Sequence, residues 1–330
     1  MNTSNPLMQF ARRPELSIKL PSDGNWYEEG FINYTMTGEV EVYPMLPKDE
    51  LMMLNPDALL SGQANVDLIK SCCPSISDPR KLLYNDVNVI LLAIQRATYG
   101  NILTMEINCP NCSKIMKEVL EEVQLYNETK SEEEPVKDAS KIIAEMEKNG
   151  EICIHKQDID LDIDAIIQDT TFMSKEYVIN LDNGLKVSIQ PYTLENKAKF
   201  GLLSLNQERL YKVLSEYNLE DSLKEDEMSE VRKQLVDCYL NINTYGNQLI
   251  TSCIKNIVLP DDTSISDKDQ ILEFISNIDS RTVNKINNEI TRITAIGLPE
   301  EITYECPCCH YNWKSRFSGF NQVDFFGFGS

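Results

Sequence analysis

Cys109-Pro110-Asn111-Cys112 and Cys306-Pro307-Cys308-Cys309 are the two stretches on which the reading of this chain turns. A Cys-X-X-Cys turn supplies two sulfurs from one tight loop whose backbone amides also point at them, and two such turns complete a tetrahedral four-thiolate site. Each turn follows a short strand-like run, Ile102 to Ile107 and Glu301 to Glu305, and each carries Pro at its second position, as in a zinc ribbon. The spacing assigns Cys109, Cys112, Cys306 and Cys309 as ligands of one structural Zn2+. Four thiolates leave no open coordination position, which disfavours a hydrolytic metal. Ordinary buried thiols and an iron–sulfur cluster are the alternatives, and nothing else in the sequence suggests electron transfer. Bridging the turns clips the first half of the chain to its last residues and closes a long loop.

Cys308 and His310, inside and beside the second turn, read as neighbours of the site or surface residues. Cys153, Cys238 and Cys253 read as small core residues, and Cys72 and Cys73 likewise, because free cysteine is commonly buried.

Working outward, Pro6, Pro14 and Pro21 with the turn residues Ser22-Asp23-Gly24-Asn25 mark an N-terminal arm ahead of Trp26 and Tyr27. Glu39-Val40-Glu41-Val42-Tyr43 alternates like a half-buried strand that Pro44 stops, and helical spacing follows at 46–53 and 58–71. Val87 to Ile94 is an apolar run expected as a buried helix ending at Gly100. Lys114 to Leu125 suits a strand or a helix equally. From Asn127 to Gly150 the composition turns to Lys, Glu, Ser and Pro, a solvated linker or lone surface helix. Asp182-Asn183-Gly184 between Tyr177–Leu181 and Leu185–Ile189 predicts a hairpin with a type I′ turn. Helices are expected at 194–217, 229–257, 267–278 and 281–293.

The same order of signals occurs twice. In the first half Gly38, a strand and Pro44-Met45 lead to Leu68-Ile69-Lys70-Ser71-Cys72, then a helix, a strand and the first knuckle. In the second half Gly184, a strand and Pro191-Tyr192 lead to Leu249-Ile250-Thr251-Ser252-Cys253, then a helix, a strand and the second knuckle. A diverged duplication with an extended helical insertion around 201–241 and a chance recurrence of common αβ grammar both account for it.

Composition narrows the function. With 52 acidic against 31 basic side chains the formal charge is -21, a field that repels phosphate backbones and weighs against nucleic-acid binding. No signal peptide and no apolar run long enough to span a bilayer is evident, so the protein is expected in the cytoplasm where it is made. Its ten cysteines, with Cys72-Cys73 adjacent and Cys306, Cys308 and Cys309 clustered, do not form an evenly spaced disulfide framework. His155 and His310 are the only histidines, neither lies in a nucleophile signature, and no phosphate-binding glycine loop occurs. Asp158, Asp160, Asp162 and Asp164 alternate as on an acidic edge strand; the glycine and terminal glutamate of a calcium loop are missing. No catalytic residue is assigned.

Leu20-Pro21-Ser22-Asp23-Gly24 with Tyr27, Gly38 to Val42 with Pro44-Met45, Leu54-Asn55-Pro56 with Leu60 and Gly62, Asp86, Tyr99-Gly100 and the first knuckle form an ordered series of motifs. It resumes at Leu181 to Pro191 and at Ile271 to Cys309. In this order the chain resembles the T4-like bacteriophage baseplate hub protein family, whose members contribute to the central hub of a contractile tail. It departs from the family in the acidic 127–150 segment and in a longer helical region around 204–237. The resemblance implies a late viral protein in the host cytoplasm, as a virion baseplate component or an assembly factor, with other tail proteins as partners.

The resulting expectation is an α+β fold of two packed helix-rich lobes with short antiparallel strands and hairpins, joined by a zinc-ribbon-like four-cysteine site. An arm covers 1–37, the first lobe 38–126, an acidic linker 127–175, the second lobe 176–317 and an aromatic tail 318–330. The function expected is non-enzymatic: structural or assembly work through protein–protein contacts, in a chain that can be oligomeric, since nothing in its sequence fixes a copy number. Trp26, Tyr27, Phe325, Phe326 and Phe328 are the expected partner contacts, since aromatic anchors on a glycine-rich tail suit insertion into a groove. Two other classes remain open: a zinc-ribbon nucleic-acid-binding or transcription accessory factor, which needs a basic patch, and a metal-dependent hydrolase, which needs an open coordination site.

Overall fold

The alternation at Val40-Glu41-Val42 turns both valines to one face, and both are fully buried. This strand, β2 (Val40–Val42), pairs antiparallel with β1 (Leu16–Ile18), Leu16 opposite Val42 and Ile18 opposite Val40. The computed structural model describes residues 12–55, 58–59, 61–130, 135–154, 157–200, 203, 207, 212, 225–299 and 301–316. Phe325, Phe326 and Phe328 lie outside the described residues. The segment expected as a loose arm is built into the first core over its described part, because Ile18 and Leu20 are buried there.

Pro44 ends β2, and α1 (Pro47–Met53) opens with Asp49 closing its first turn: the Leu46 N–H donates to Asp49 Oδ2 at 2.8 Å. α2 (Gln63–Cys72) and α3 (Tyr84–Tyr99) follow. α3 is buried almost all round from Val87 to Gln95, which explains the unbroken apolar run in its sequence, and Gly100 ends it at a φ of 100°. It is central to a core containing Ile18, Val40, Val42, Leu68 and Ile69.

β3 (Ile102–Ile107) delivers the first knuckle. The stretch that suited strand or helix equally is helical: α4 (Pro110–Thr129) begins inside the knuckle itself. α5 (Ala139–Lys148) then occupies the acidic segment and is not a free linker, since Ile143 and Met146 pack against the cysteine cluster. β4 (Gln157–Asp162) returns antiparallel to β3, with Leu161 buried while Asp158 and Asp160 face out. The aspartates have separate partners: Asp160 accepts from Thr104 Oγ1 at 2.6 Å, Asp162 caps α6 (Ile163–Gln168), and Asp164 pairs with Arg96 at 3.1 Å.

A four-stranded antiparallel sheet of order β5-β6-β7-β8 organises the second half: β5 (Tyr177–Asn180), β6 (Lys186–Ile189), β7 (Ile254–Val258) and β8 (Ser264–Ile265). Between β6 and β7 runs α7 (Glu225–Cys253). The helix expected through 257 therefore stops four residues early, where the β-branched Ile254 and Ile257 bury against β6. α8 (Lys268–Asn277) and α9 (Ser280–Thr294) start at the caps Asp267 and Asp279, and Ile286, Ile290 and Ile293 of α9 are fully buried. β9 (Glu301–Glu305) and β10 (Asn312–Arg316) form a hairpin around the second knuckle.

The β5–β6 hairpin forms, but not through a type I′ turn. That turn needs positive φ at both central residues. Here Gly184, at 81°, has it and Asn183 does not. The Gly184 N–H donates to the Leu181 carbonyl at 3.0 Å and the Leu181 N–H to the Leu185 carbonyl at 2.9 Å. A three-residue loop that closes on a left-handed glycine replaces the two-residue one.

The repeated order of signals corresponds to repeated backbone contacts. The Tyr43 N–H, just before Pro44, donates to the Cys72 carbonyl at 2.9 Å; the Gln190 N–H, just before Pro191, donates to the Cys253 carbonyl at 2.8 Å. In that register Val40 and Val42 correspond to Val187 and Ile189, all four buried. Their partners Ile18 and Leu16 correspond to Ile179 and Tyr177. Ser75-Ile76-Ser77-Asp78 recurs as Ser264-Ile265-Ser266-Asp267, and each Asp caps the helical segment after it.

Candidate metal centre

The first pair of thiols sits at a helix N-terminus. Cys109 is the residue before α4, Pro110 occupies the first helical position where its missing donor costs nothing, and the Cys112 N–H donates to Cys109 Sγ at 3.5 Å. Negative charge on both sulfurs is favoured there by the helix dipole. The expected arrangement of two like knuckles between strands thus gives way to an asymmetric one, with one pair on a helix and the other in a hairpin.

The second pair is shaped by the β9–β10 turn. The Cys306 N–H donates to the Tyr311 carbonyl and the His310 N–H to the Cys306 carbonyl, both at 3.0 Å. His310 takes a φ of 51° to close the loop directly after Cys309. Its ring is exposed and its Nδ1 lies 3.1 Å from Glu305 Oε1, so the imidazole points to a carboxylate and away from the sulfurs.

The four Sγ atoms of Cys109, Cys112, Cys306 and Cys309 lie within 4.8 Å of one another. Three separations are 3.7 Å for Cys109–Cys309, 3.8 Å for Cys112–Cys306 and 3.5 Å for Cys112–Cys309. Sulfurs about 2.3 Å from a zinc ion at the centre of a tetrahedron stand about 3.8 Å apart, so the donor set fits such an ion in both chemistry and size. Cys109, Cys112 and Cys306 are buried; Ile115 and Met116 of α4, Ile143 and Met146 of α5 and Trp313 of β10 pack around them.

Burial pushes the Cys109 and Cys112 thiols up. It pushes Cys309 the same way, but hydrogen bonds from the Tyr311 backbone, the Asn111 amide and neighbouring cysteines outweigh it and bring that thiol down to about 7. Asn111 Nδ2 lies 3.7 Å from Cys309 Sγ.

Sequence reasoning missed Cys153. Expected as an isolated core residue, it reaches the cluster from the end of the acidic segment, its Sγ 3.4 Å from Cys306 Sγ and its N–H donating to Cys112 Sγ at 3.3 Å. It is joined to Cys308 by a disulfide. No spacing motif announces it; only the buried Ile152 beside it hints that this stretch turns inward. Cys72, Cys73, Cys238 and Cys253 are buried away from the site, as expected, and burial raises the Cys72 and Cys253 thiols to about 12.

Trp26 and Tyr27 contact their own chain. The Trp26 ring stacks on Tyr177 at 5.8 Å, Lys255 Nζ lies 4.1 Å from its centre, and its Nε1 donates to the Ser174 carbonyl at 3.1 Å. The Tyr27 hydroxyl donates to Asp86 Oδ2 at 2.5 Å and accepts from the Leu83 N–H at 2.9 Å. Among the described residues no helix is long and apolar enough to cross a membrane.

No curated protein and no solved structure matches the chain. The family model of the T4 bacteriophage base plate protein matches residues 13–327, nearly the whole chain, and the chain belongs to that family.

Proposed function

We propose that this is a non-enzymatic structural or assembly protein of the hub of a contractile-tail baseplate, held rigid by one Zn2+ on Cys109, Cys112, Cys306 and Cys309. The observation that carries the reading is the buried four-sulfur group assembled from opposite ends of a chain of the base plate family. A closed thiolate tetrahedron stabilises and orients its surroundings without offering a substrate a coordination position. It ties α4 to the β9–β10 hairpin, so the surfaces of both move as one body.

Other hub and tail proteins are the proposed partners, met in the host cytoplasm during assembly and in the virion baseplate afterwards. The half-exposed Trp26, Tyr27 and the tail residues Phe325, Phe326 and Phe328 are the proposed contacts. The net charge of -21 supports protein partners over nucleic acid. Affinity capture of the tagged chain from infected cells tests the role, with bound tail proteins as the expected result. Recovery free of every tail component at all stages of infection would overturn it.

A further inference from the structure

Cys153 and Cys308 stand outside the four-thiolate set yet share its site. The Sγ atoms of Cys153, Cys306 and Cys308 lie within 4.8 Å of one another, so Cys306 belongs to two sulfur groups at once. The 3.4 Å between Cys153 and Cys306 is comparable with the edges of the four-sulfur group. Cys153 is held there by the fully buried Ile152 and by its N–H bond to Cys112 Sγ, whereas Cys308 is half-exposed.

We infer that, with the Cys153–Cys308 bond reduced, the cluster takes a second thiophilic divalent cation, bound by Cys153 and Cys308 with Cys306 bridging the two ions. This rests on the proposal that the first four cysteines hold zinc. Reduction needs a thiol reductant: two of its thiols become one disulfide, their two electrons and two protons pass to the S–S bond, and Cys153 and Cys308 are left as thiols. The incoming cation displaces those two protons to solvent. Four thiolates around one dication carry a net charge of −2, and six around two dications carry the same, so the second ion adds no net charge to a buried site. The fourth position of the second ion falls to water on the half-exposed Cys308 side.

The test is the metal content of the full chain, purified under a non-chelating reductant, loaded with Zn2+, passed through gel filtration and measured by mass spectrometry of the elements. Two ions per chain are expected for the reduced protein, and one after oxidation or in Cys308→Ser, which alters the more exposed partner and so preserves the fold. Cys153→Ala is expected to match Cys308→Ser. One ion in the fully reduced wild type overturns this inference and leaves the four-cysteine site standing. Two ions in Cys308→Ser also overturn it, because the second ion then sits elsewhere. No retained ion overturns both.

Discussion

Asn85 closes the far end of the chain onto α3: its side-chain amide donates to the Ile296 carbonyl at 2.6 Å and to the Ile293 carbonyl at 2.8 Å. The last carbonyls of α9 have no partner within their own helix, and a buried side chain from the first half supplies one. Gly297 follows at a φ of 132°, with its carbonyl accepting from the Thr171 N–H at 2.8 Å. The two halves are thus joined by directed hydrogen bonds in addition to the cysteine cluster.

Replacing Asn85 with Asp removes the donor and aims an acceptor at two carbonyls. A loss of about 3 kcal/mol or more is expected, against about 2 kcal/mol for Asn85→Ala, which only leaves the carbonyls unpaired. Urea unfolding midpoints check it, and equal losses would mean that the amide does not serve as the donor.

Asp86, fully buried beside it, gives a pH signature. Burial raises its carboxyl to about 6 from an ordinary 3.8, against the lowering effect of hydrogen bonds from Tyr27 and Ser22. Between those values the folded chain binds more protons than the unfolded one, so stability falls as pH rises through the window and levels above it. The total is roughly 3 kcal/mol. Asp86→Asn is expected to flatten this part of the stability–pH profile relative to wild type; parallel profiles would contradict it.

Gly62 and Gly38 separate two costs. Both have left-handed φ, 71° and 77°, but a Cβ on Gly62 would lie 2.7 Å from the Cβ of Ala198, and one on Gly38 would meet nothing within 4 Å. Gly38→Ala is expected to cost about 1 kcal/mol from backbone strain alone. Gly62→Ala is expected to cost about 2–4 kcal/mol, since overpacking adds to the strain. Thermal unfolding of both variants reads the difference.

Chelation of the proposed zinc, or Cys306→Ser, is expected to remove on the order of 3 kcal/mol or more and lower the unfolding temperature by roughly 5–10 °C. Cys238→Ser, in α7 and away from the cluster, is expected to leave the response to chelator intact. An unchanged unfolding temperature in excess chelator would contradict the proposal.

The site was legible because its signal is local: each Cys-X-X-Cys pair is complete within four residues, and pairing the two requires only chemistry. The β2 and β5–β6 alternations were legible for the same reason, since period-two burial is written in adjacent residues. What stayed hidden depends on distant contacts. Cys153 has no motif, and only the packing of α5 brings it in. Trp26 and Tyr27 read as free aromatics because their partners, Tyr177, Lys255 and Asp86, are remote in sequence. The helix after the first knuckle could not be told from a strand by periodicity, and the tertiary burial of Cys112 and Val123 decides it.

The separation of 194 positions between Cys112 and Cys306 also imposes an order on biosynthesis. At about 5–20 residues per second, a ribosome takes on the order of 10–40 s to make the intervening polypeptide. Throughout that interval the nascent chain carries a half-built chelate, exposed to stray ions and oxidants, and the completed clasp becomes a timer that marks when translation has passed the second hairpin.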